Sequence, residues 1–508
     1  MSGGGVFAEL FPLADDALQR VFLRTDSGRV LRYEEALAES ARLAHTLVAL
    51  GVRAGDRVAV QAEKSIEAVL LYLATLRTGA VFLPLNTGYT SAELEYFLAD
   101  SQPTLFVCAP ERLAVLQPLA HRVGVREVRT LGADARGSLM AGATRQPPRF
   151  ETVPRRGHDL AAILYTSGTT GRSKGAMLSQ ANLVSNARTL AALWHFTAGD
   201  VLLHALPIFH IHGLFVAINV TLAAASSMIF LPRFDTELVL RHLPHASVMM
   251  GVPTFYVRLL KDSRLDRGIT AHCRVFISGS APLLIDTHRE WYQRTGHTLL
   301  ERYGMSETGM NTSNPYAGER VPGSVGLPLP GVSLRIADVV SGALLPQGEA
   351  GMIEVKGPNV FAGYWRQPDK TRAEFRDDGY FMTGDLGRID ARGYVFILGR
   401  SKDLVISGGY NIYPKEIEAE IDALPGVIES AVIGLPHPDF GEGVTAIIVR
   451  AAGANEPTDT QALTALRQRL AAYKLPKRFI FVDDLPRNSM GKVQKQLLRE
   501  RYAHLYGR

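Results

Sequence analysis

The sequence predicts an α/β protein: a large N-terminal domain of doubly wound sheets with a β-rich subdomain, followed by a small α+β domain. Three observations predict it. Short apolar runs alternate with helical stretches from Tyr33 onward, as a sheet with helices on its faces requires. Three later strands each run into a turn of small residues, at Gly251, Gly279 and Gly304, which is how a doubly wound sheet builds one crevice at its carboxyl edge. The composition then changes twice. Over about 323–399 it becomes glycine-rich with apolar and polar residues alternating, and past Arg400 a separate unit of about a hundred residues begins. With 508 residues, 46% of them hydrophobic, the chain can bury a large core and exceeds one ordinary domain.

The first long helix is expected over 33–50, with Ala36, Leu37, Ala41, Leu43, Ala44, Leu47 and Val48 at helical spacing and Gly51 ending it. A strand at 57–60, an amphipathic helix over 65–77 stopped by Gly79, and strands at 81–85 and 104–107 follow. A proline- and arginine-rich connection over about 141–157, in which Arg155 and Arg156 read as solvated, leads to the apolar run Ala161-Ala162-Ile163-Leu164, a buried strand. Ser179 can cap the next helix, which carries Leu183, Ala187, Leu190 and Trp194 on one side. The subdomain contributes strands at 351–355 and 393–397. The last unit contributes helices over 416–424 and 458–472 and strands over 427–433 and 444–449.

Composition narrows the function classes. The formal charge of +5 comes mostly from scattered arginine; there is no block of like charge and no basic–aromatic face, which argues against nucleic acid and suits small anions. The most membrane-like window, 214–231, is interrupted by Asn219, Thr221, Ser226 and Ser227, so a buried strand–helix segment and no stable membrane association are expected. Cys108 and Cys273 are too few for a disulfide framework. The start of the chain lacks the basic patch and apolar run of a secretory signal, and a cytoplasmic protein is expected.

The stretch Tyr165-Thr166-Ser167-Gly168-Thr169-Thr170-Gly171-Arg172-Ser173-Lys174-Gly175 carries the strongest chemical signal. Its glycines let backbone N–H groups approach phosphate oxygens, its hydroxyls donate further, and Arg172 and Lys174 offset charge, so it suits a polyphosphate. It departs from the Walker pattern, because position 173 is serine where a glycine would be needed. Other candidates are weaker alone. His210 and His212 flank Ile211 at the end of an apolar strand, either as pocket wall or as core histidines, with no third metal ligand nearby. Asp385 sits in a tight turn of Thr383-Gly384-Asp385-Leu386-Gly387, and Lys492 follows Gly491 in a loop; simple turn chemistry and a solvated surface lysine are the plain readings.

Together these stretches resemble the adenylate-forming enzymes, a family of acyl- and aryl-CoA synthetases, luciferases and peptide-synthetase adenylation domains. The phosphate loop, Arg302-Tyr303-Gly304-Met305-Ser306-Glu307-Thr308, the Asp385 turn, Gly399-Arg400-Ser401-Lys402-Asp403 and Gly491-Lys492 occur in the family order over nearly the whole chain. The resemblance implies an N-terminal domain of residues 1–400, with the β-rich part at about 323–400, and a mobile C-terminal domain of residues 401–508 hinged at Lys402. It implies two half-reactions: a carboxylate attacks the α-phosphate of ATP to give an acyl adenylate and pyrophosphate, and the thiol of coenzyme A then displaces AMP. By the same resemblance, residues 166–174 hold the β- and γ-phosphates, Thr166 and Glu307 stand near Mg²⁺, and Tyr303 stacks on adenine. Asp385 and Arg400 bind the ribose, Lys492 neutralises the transition state, and Ser407, Gly408, Gly409 and Tyr410 receive the pantetheine arm. Small-molecule substrates and a monomer or weak homodimer are expected.

Within the family, the segments around Met250-Gly251-Val252-Pro253-Thr254 and Ser278-Gly279-Ser280-Ala281-Pro282 are similar to malonyl-CoA synthetases. Malonate keeps a second carboxylate, which needs a cation in the acyl pocket. Arg258 is the candidate, against an ordinary helix-surface ion pair, with Ser280, His210 and Met305 beside the acid. Ile211 replaces the threonine common in such enzymes and is expected to crowd the α-carbon and disfavour methylmalonate. The alternatives are a synthetase for another short- or medium-chain acid and an adenylation enzyme that loads a carrier protein.

Overall fold

The structure, a computed structural model, describes residues 5–166, 173–407, 410–451, 458–488 and 491–507. The chain divides into two compact units, one of Met1–Ser333 and Lys356–Phe381, the other of Leu334–Val355 and Met382–Arg508.

Among the described residues, the first unit contains two large sheets. One has the order Glu127–Thr130, Leu105–Cys108, Arg57–Gln61, Val81–Pro84, Leu160–Thr166, Lys174–Ser179, parallel except for the last strand. Its strands at Val81–Pro84 and Leu105–Cys108 are buried at every position, which explains their unbroken apolar runs. The other sheet has nine strands. Five adjacent ones, Leu300–Met305, Val275–Ser278, Val248–Gly251, Val201–His204 and Ser227–Phe230, run parallel. The turns at the ends of Val248–Gly251 and Val275–Ser278 therefore share one sheet edge, as expected of a doubly wound sheet, whereas Gly304, expected in a turn, lies inside strand Leu300–Met305 and pairs with Met310 of an antiparallel strand.

The helix signals acted as expected. Helix Tyr33–Ala49 ends before Gly51 at φ +88°, and Ser65 and Ser179 accept from Ala68 and Asn182 to start helices Ile66–Arg77 and Gln180–Leu193. Helix Ile66–Arg77 departs from its amphipathic reading, since every residue is buried. Its charges are partly answered: Glu67 forms an ion pair with Arg29 at 2.5 Å but lacks a well-formed hydrogen bond, and Arg77 donates to the carbonyls of Leu37 and Phe150. Arg155 is likewise not solvated; it is half-buried and pairs with Asp159 at 3.3 Å. The apolar window after residue 211 is a buried π-helix, His212–Ile218, then helix Asn219–Ala223 and strand Ser227–Phe230. Among the described residues no helix is long and apolar enough to cross a membrane, and both cysteines are buried and free.

The second unit holds a four-stranded sheet of Ser333–Ala337, Gly351–Lys356, Phe381–Ile389 and Val395–Arg400, and a five-stranded sheet around Val427–His437 and Gly441–Arg450. Strand alternation gives the latter two cores. Val432, Val444, Ala446 and Ile448 face Ile417, Ile421 and Leu466, while Ala431, Ile433, Ile447 and Val449 face Leu485 and Leu498. The helix expected over 458–472 is shorter, Asp459–Arg467, started by Thr458 and Gln461 in a reciprocal cap.

Candidate active site

The carboxyl edge of the nine-stranded sheet is built around a buried cation. Arg302, on strand Leu300–Met305, is 3% exposed, and its Nε and Nη2 have no hydrogen-bond partner. Burial pushes its pKa down to about 9, which still leaves a cation at neutral pH. Glycine makes the placement possible, because a Cβ at Gly279 would lie 2.5 Å from the guanidinium. One residue on, Ser280 takes the left-handed conformation, φ +73°, and its hydroxyl lies 3.2 Å from His212 Nδ1.

Both histidines of this edge are neutral. Burial lowers the His210 pKa to about 4; burial and then Arg302 hold that of His212 well below the usual range. The Nε2 atoms of both are buried without a partner. The segment that carries them is anchored from behind. Lys64 Nζ lies 2.8 Å from His204 Nδ1, so the opposite ring nitrogen carries the hydrogen and donates to the Gly213 carbonyl at 2.8 Å. Ile211 is buried and lines a small cavity with Asn182, Asn186, Phe215 and Gly309. Met305 and Tyr303 are half-buried on the Arg302 strand. Arg258, expected in the pocket, is exposed in the last turn of helix Pro253–Leu260. Sequence reading passed over Arg302, although a charged pair inside the apolar approach Leu299-Leu300-Glu301-Arg302 was a signal.

On the phosphate side, Ser167, Gly168, Thr169, Thr170, Gly171 and Arg172 lie outside the described residues. The flanking Thr166 and Lys174 face each other across an antiparallel pair. Ser173 is half-buried, and its carbonyl accepts from the Tyr96 hydroxyl at 2.8 Å. Lys174 Nζ sits 3.2 Å from Glu374 and 4.6 Å from the centre of the Tyr364 ring. The Tyr364 hydroxyl lies 2.7 Å from Glu374 Oε2 and 3.2 Å from Glu307 Oε1. Burial raises the Glu374 pKa, but the hydrogen bonds from Lys370, Tyr364 and Lys174 outweigh it and hold the carboxyl below its usual range. The loop's cation and Glu307 are thus joined through one hydroxyl and one carboxylate.

The second unit brings together its own set. Asp385 and Arg400 are opposite each other on neighbouring strands, paired at 2.7 Å with Asp385 buried. Lys492 lies in their field. Shielding from water, then the Arg400 cation, push its pKa down to about 8, with Asp385 pulling the other way; the residue as a whole keeps solvent exposure. Lys402 lies in the turn Ser401–Asp403, its pKa lowered chiefly by burial. Ser407 is buried, and exposed Tyr410 stacks on Tyr473 at 4.6 Å, while Gly408 and Gly409 lie outside the described residues.

Residues 11–365 match the AMP-binding enzyme family, and residues 416–492 match the AMP-binding enzyme C-terminal domain. The chain belongs to this family. As an AMP-binding enzyme it has the expected fold, a large α/β domain and a small C-terminal one. It is similar to the malonate–CoA ligase of Arabidopsis thaliana, 34% identical over 97% of this chain and 88% of that protein. A mitochondrial malonate–CoA ligase of Mus musculus is 36% identical over 92% and 87%. The crystal structure of ATP-bound MatB from Rhodopseudomonas palustris matches at 60% identity and a TM-score of 0.97, covering 100% of both chains.

Proposed function

We propose that the protein is an AMP-forming malonyl-CoA synthetase, which joins malonate to coenzyme A through malonyl adenylate and releases AMP and pyrophosphate. The observation that carries the reading is Arg302. A buried guanidinium with two unpaired nitrogens destabilises an empty site and is satisfied by an anion. A diacid brings one carboxylate to react and one to meet that cation. The neutral imidazole of His210, and either Ser280 or His212, which share one hydrogen bond, can donate to the acid without adding charge.

The attacking carboxylate is ionised at neutral pH, so adenylation needs no general base. It needs two anions brought together and charge neutralised as the α-phosphate is attacked. Lys492 supplies the cation, Tyr303 a face for adenine, and Asp385 and Arg400 groups for the ribose. Ser407, Gly408, Gly409 and Tyr410 serve the thiol substrate, with Lys402 as hinge between residues 1–400 and 401–508. The setting is a cytoplasmic monomer or weak homodimer.

The residues also fit Mg²⁺. Glu307 offers a buried carboxylate oriented by Tyr364, and among the described residues there is no cluster of three ligating acidic, His or Cys side chains. That suits an ion whose other ligands are phosphate and water. Thr166 and Glu307 would hold it, and it would supply charge neutralisation at the phosphates. Tyr364→Phe removes the oriented hydroxyl, so the Mg²⁺ concentration for half-maximal ATP binding, read by calorimetry, is expected to rise ~3–10-fold. An unchanged requirement refutes the role.

Pyrophosphate release against a panel of acids, with and without coenzyme A, tests the function. Malonate is expected to be best; better turnover of acetate or octanoate overturns the reading, and thioester formation only on a carrier protein redirects it. Methylmalonate is expected to react at least ~10-fold more slowly because of Ile211, with Ile211→Val narrowing the gap. Equal rates for both acids in the unaltered enzyme would remove that role.

A further inference from the structure

Building on the proposed two-step reaction, we infer that Arg487 is a positioning residue for Lys492, acting with Glu429 as a clamp needed for adenylation and dispensable for thioester formation. Its guanidinium reaches in two directions. Nη1 donates to the carbonyl of Gly491 at 2.7 Å, next to Lys492, and Nη2 pairs with the Glu429 carboxylate. Glu429 lies near the start of strand Val427–His437, whose later residues Ala431 and Val432 face the two cores of that sheet. The loop is thereby tied to the sheet of its own unit.

The backbone around Lys492 is closed by a second set of bonds. Asn488 N–H donates to the Lys492 carbonyl at 3.0 Å, the Lys492 N–H donates to Asn488 Oδ1 at 3.0 Å, and the Gly491 N–H donates to the Asn488 carbonyl at 2.9 Å. Arg487 and Val493 form an antiparallel bridge across the base, and Gly491 turns the chain at φ +75°. Residues 487–488 and 491–493 thus run antiparallel, with Lys492 on the returning limb. These hydrogen bonds hold the two limbs together, and two described contacts tie them to the sheet: the Arg487 fork, and Val493, which packs against the core of Ala431, Ile433 and Leu485.

A lysine on a flexible stem, carried by a domain that must also leave, benefits from arriving with its Cα already fixed. Freedom at the loop would have to be lost in each cycle, and a misplacement of about 1 Å in a charge-neutralising group costs rate steeply. Arginine is suited to the task because its planar fork holds a carbonyl and a carboxylate together, which a lysine's single ammonium does less well.

The test uses the full-length enzyme and separates the half-reactions. Arg487→Gln is expected to slow pyrophosphate release with malonate and ATP by ~10–100-fold, with ATP affinity little changed, while thioester formation from supplied malonyl adenylate stays within about twofold. Glu429→Gln, which approaches the clamp from the sheet, should show the same split more mildly, and Arg487→Lys should recover part of the rate. Because Arg487 acts through Lys492, the double variant Arg487→Gln/Lys492→Ala should adenylate no more slowly than Lys492→Ala alone. Equal loss in both half-reactions, or additive loss in the double variant, overturns the inference, as does full adenylation by Arg487→Gln. If the unaltered enzyme prefers another acid, the substrate reading fails while the clamp is tested with that acid.

Discussion

Lys492→Ala is expected to lower adenylation ~10²–10³-fold, while thioester formation from supplied malonyl adenylate survives within about twofold. The split follows from the chemistry of each step. In the first, two anions are forced together at the α-phosphate; in the second the thiol attacks the acyl carbonyl, and the departing AMP phosphate takes the electron pair of the broken bond. The free ammonium loses its proton as pH rises through about 8. Bound phosphates favour the charged form, so the adenylation rate is expected to decline only above that pH in the ATP complex. Pyrophosphate release and thioester formation measured on the same preparation check both points. Equal losses in the two half-reactions would contradict the assignment of Lys492 to the first.

The second large effect is expected at Arg302. Arg302→Met should reduce kcat/KM for malonate by ~10²–10³-fold, the loss typical of truncating one partner of a buried charged pair. Without substrate the same change should leave the melting temperature equal or higher, because it replaces an unpaired buried cation with an apolar side chain of similar length. The variant should also lose the upward shift in melting temperature that malonate gives the unaltered protein. A variant that unfolds early, or that keeps its malonate preference, would show that Arg302 serves the fold and not the acid. Arg258→Ala, measured alongside, reports whether the exposed cation shares the role.

Much of this was legible in the sequence where local chemistry decides structure. The turns at Gly251 and Gly279 end adjacent parallel strands, and Ser65, Ser179 and Thr458 start helices. What was illegible depends on partners distant in the chain. The periodicity of helix Ile66–Arg77 cannot reveal that it is enclosed on all sides, because the surrounding elements supply that burial. The Lys174–Glu374–Tyr364–Glu307 chain joins residues up to 200 positions apart. Arg302 is the instructive case. Sequence patterns show a strand arginine, but only packing shows that no carboxylate among the described residues answers it.

The absence of a side chain at position 279 gives that site an adjustable property. A Cβ there would come within 2.5 Å of the Arg302 guanidinium, so alanine at 279 displaces the charge and leaves it in place chemically. Gly279→Ala is therefore expected to move the positive charge without altering its amount. Turnover of malonate by Gly279→Ala is expected to fall, and its relative rates with longer diacids read where the displaced cation comes to rest.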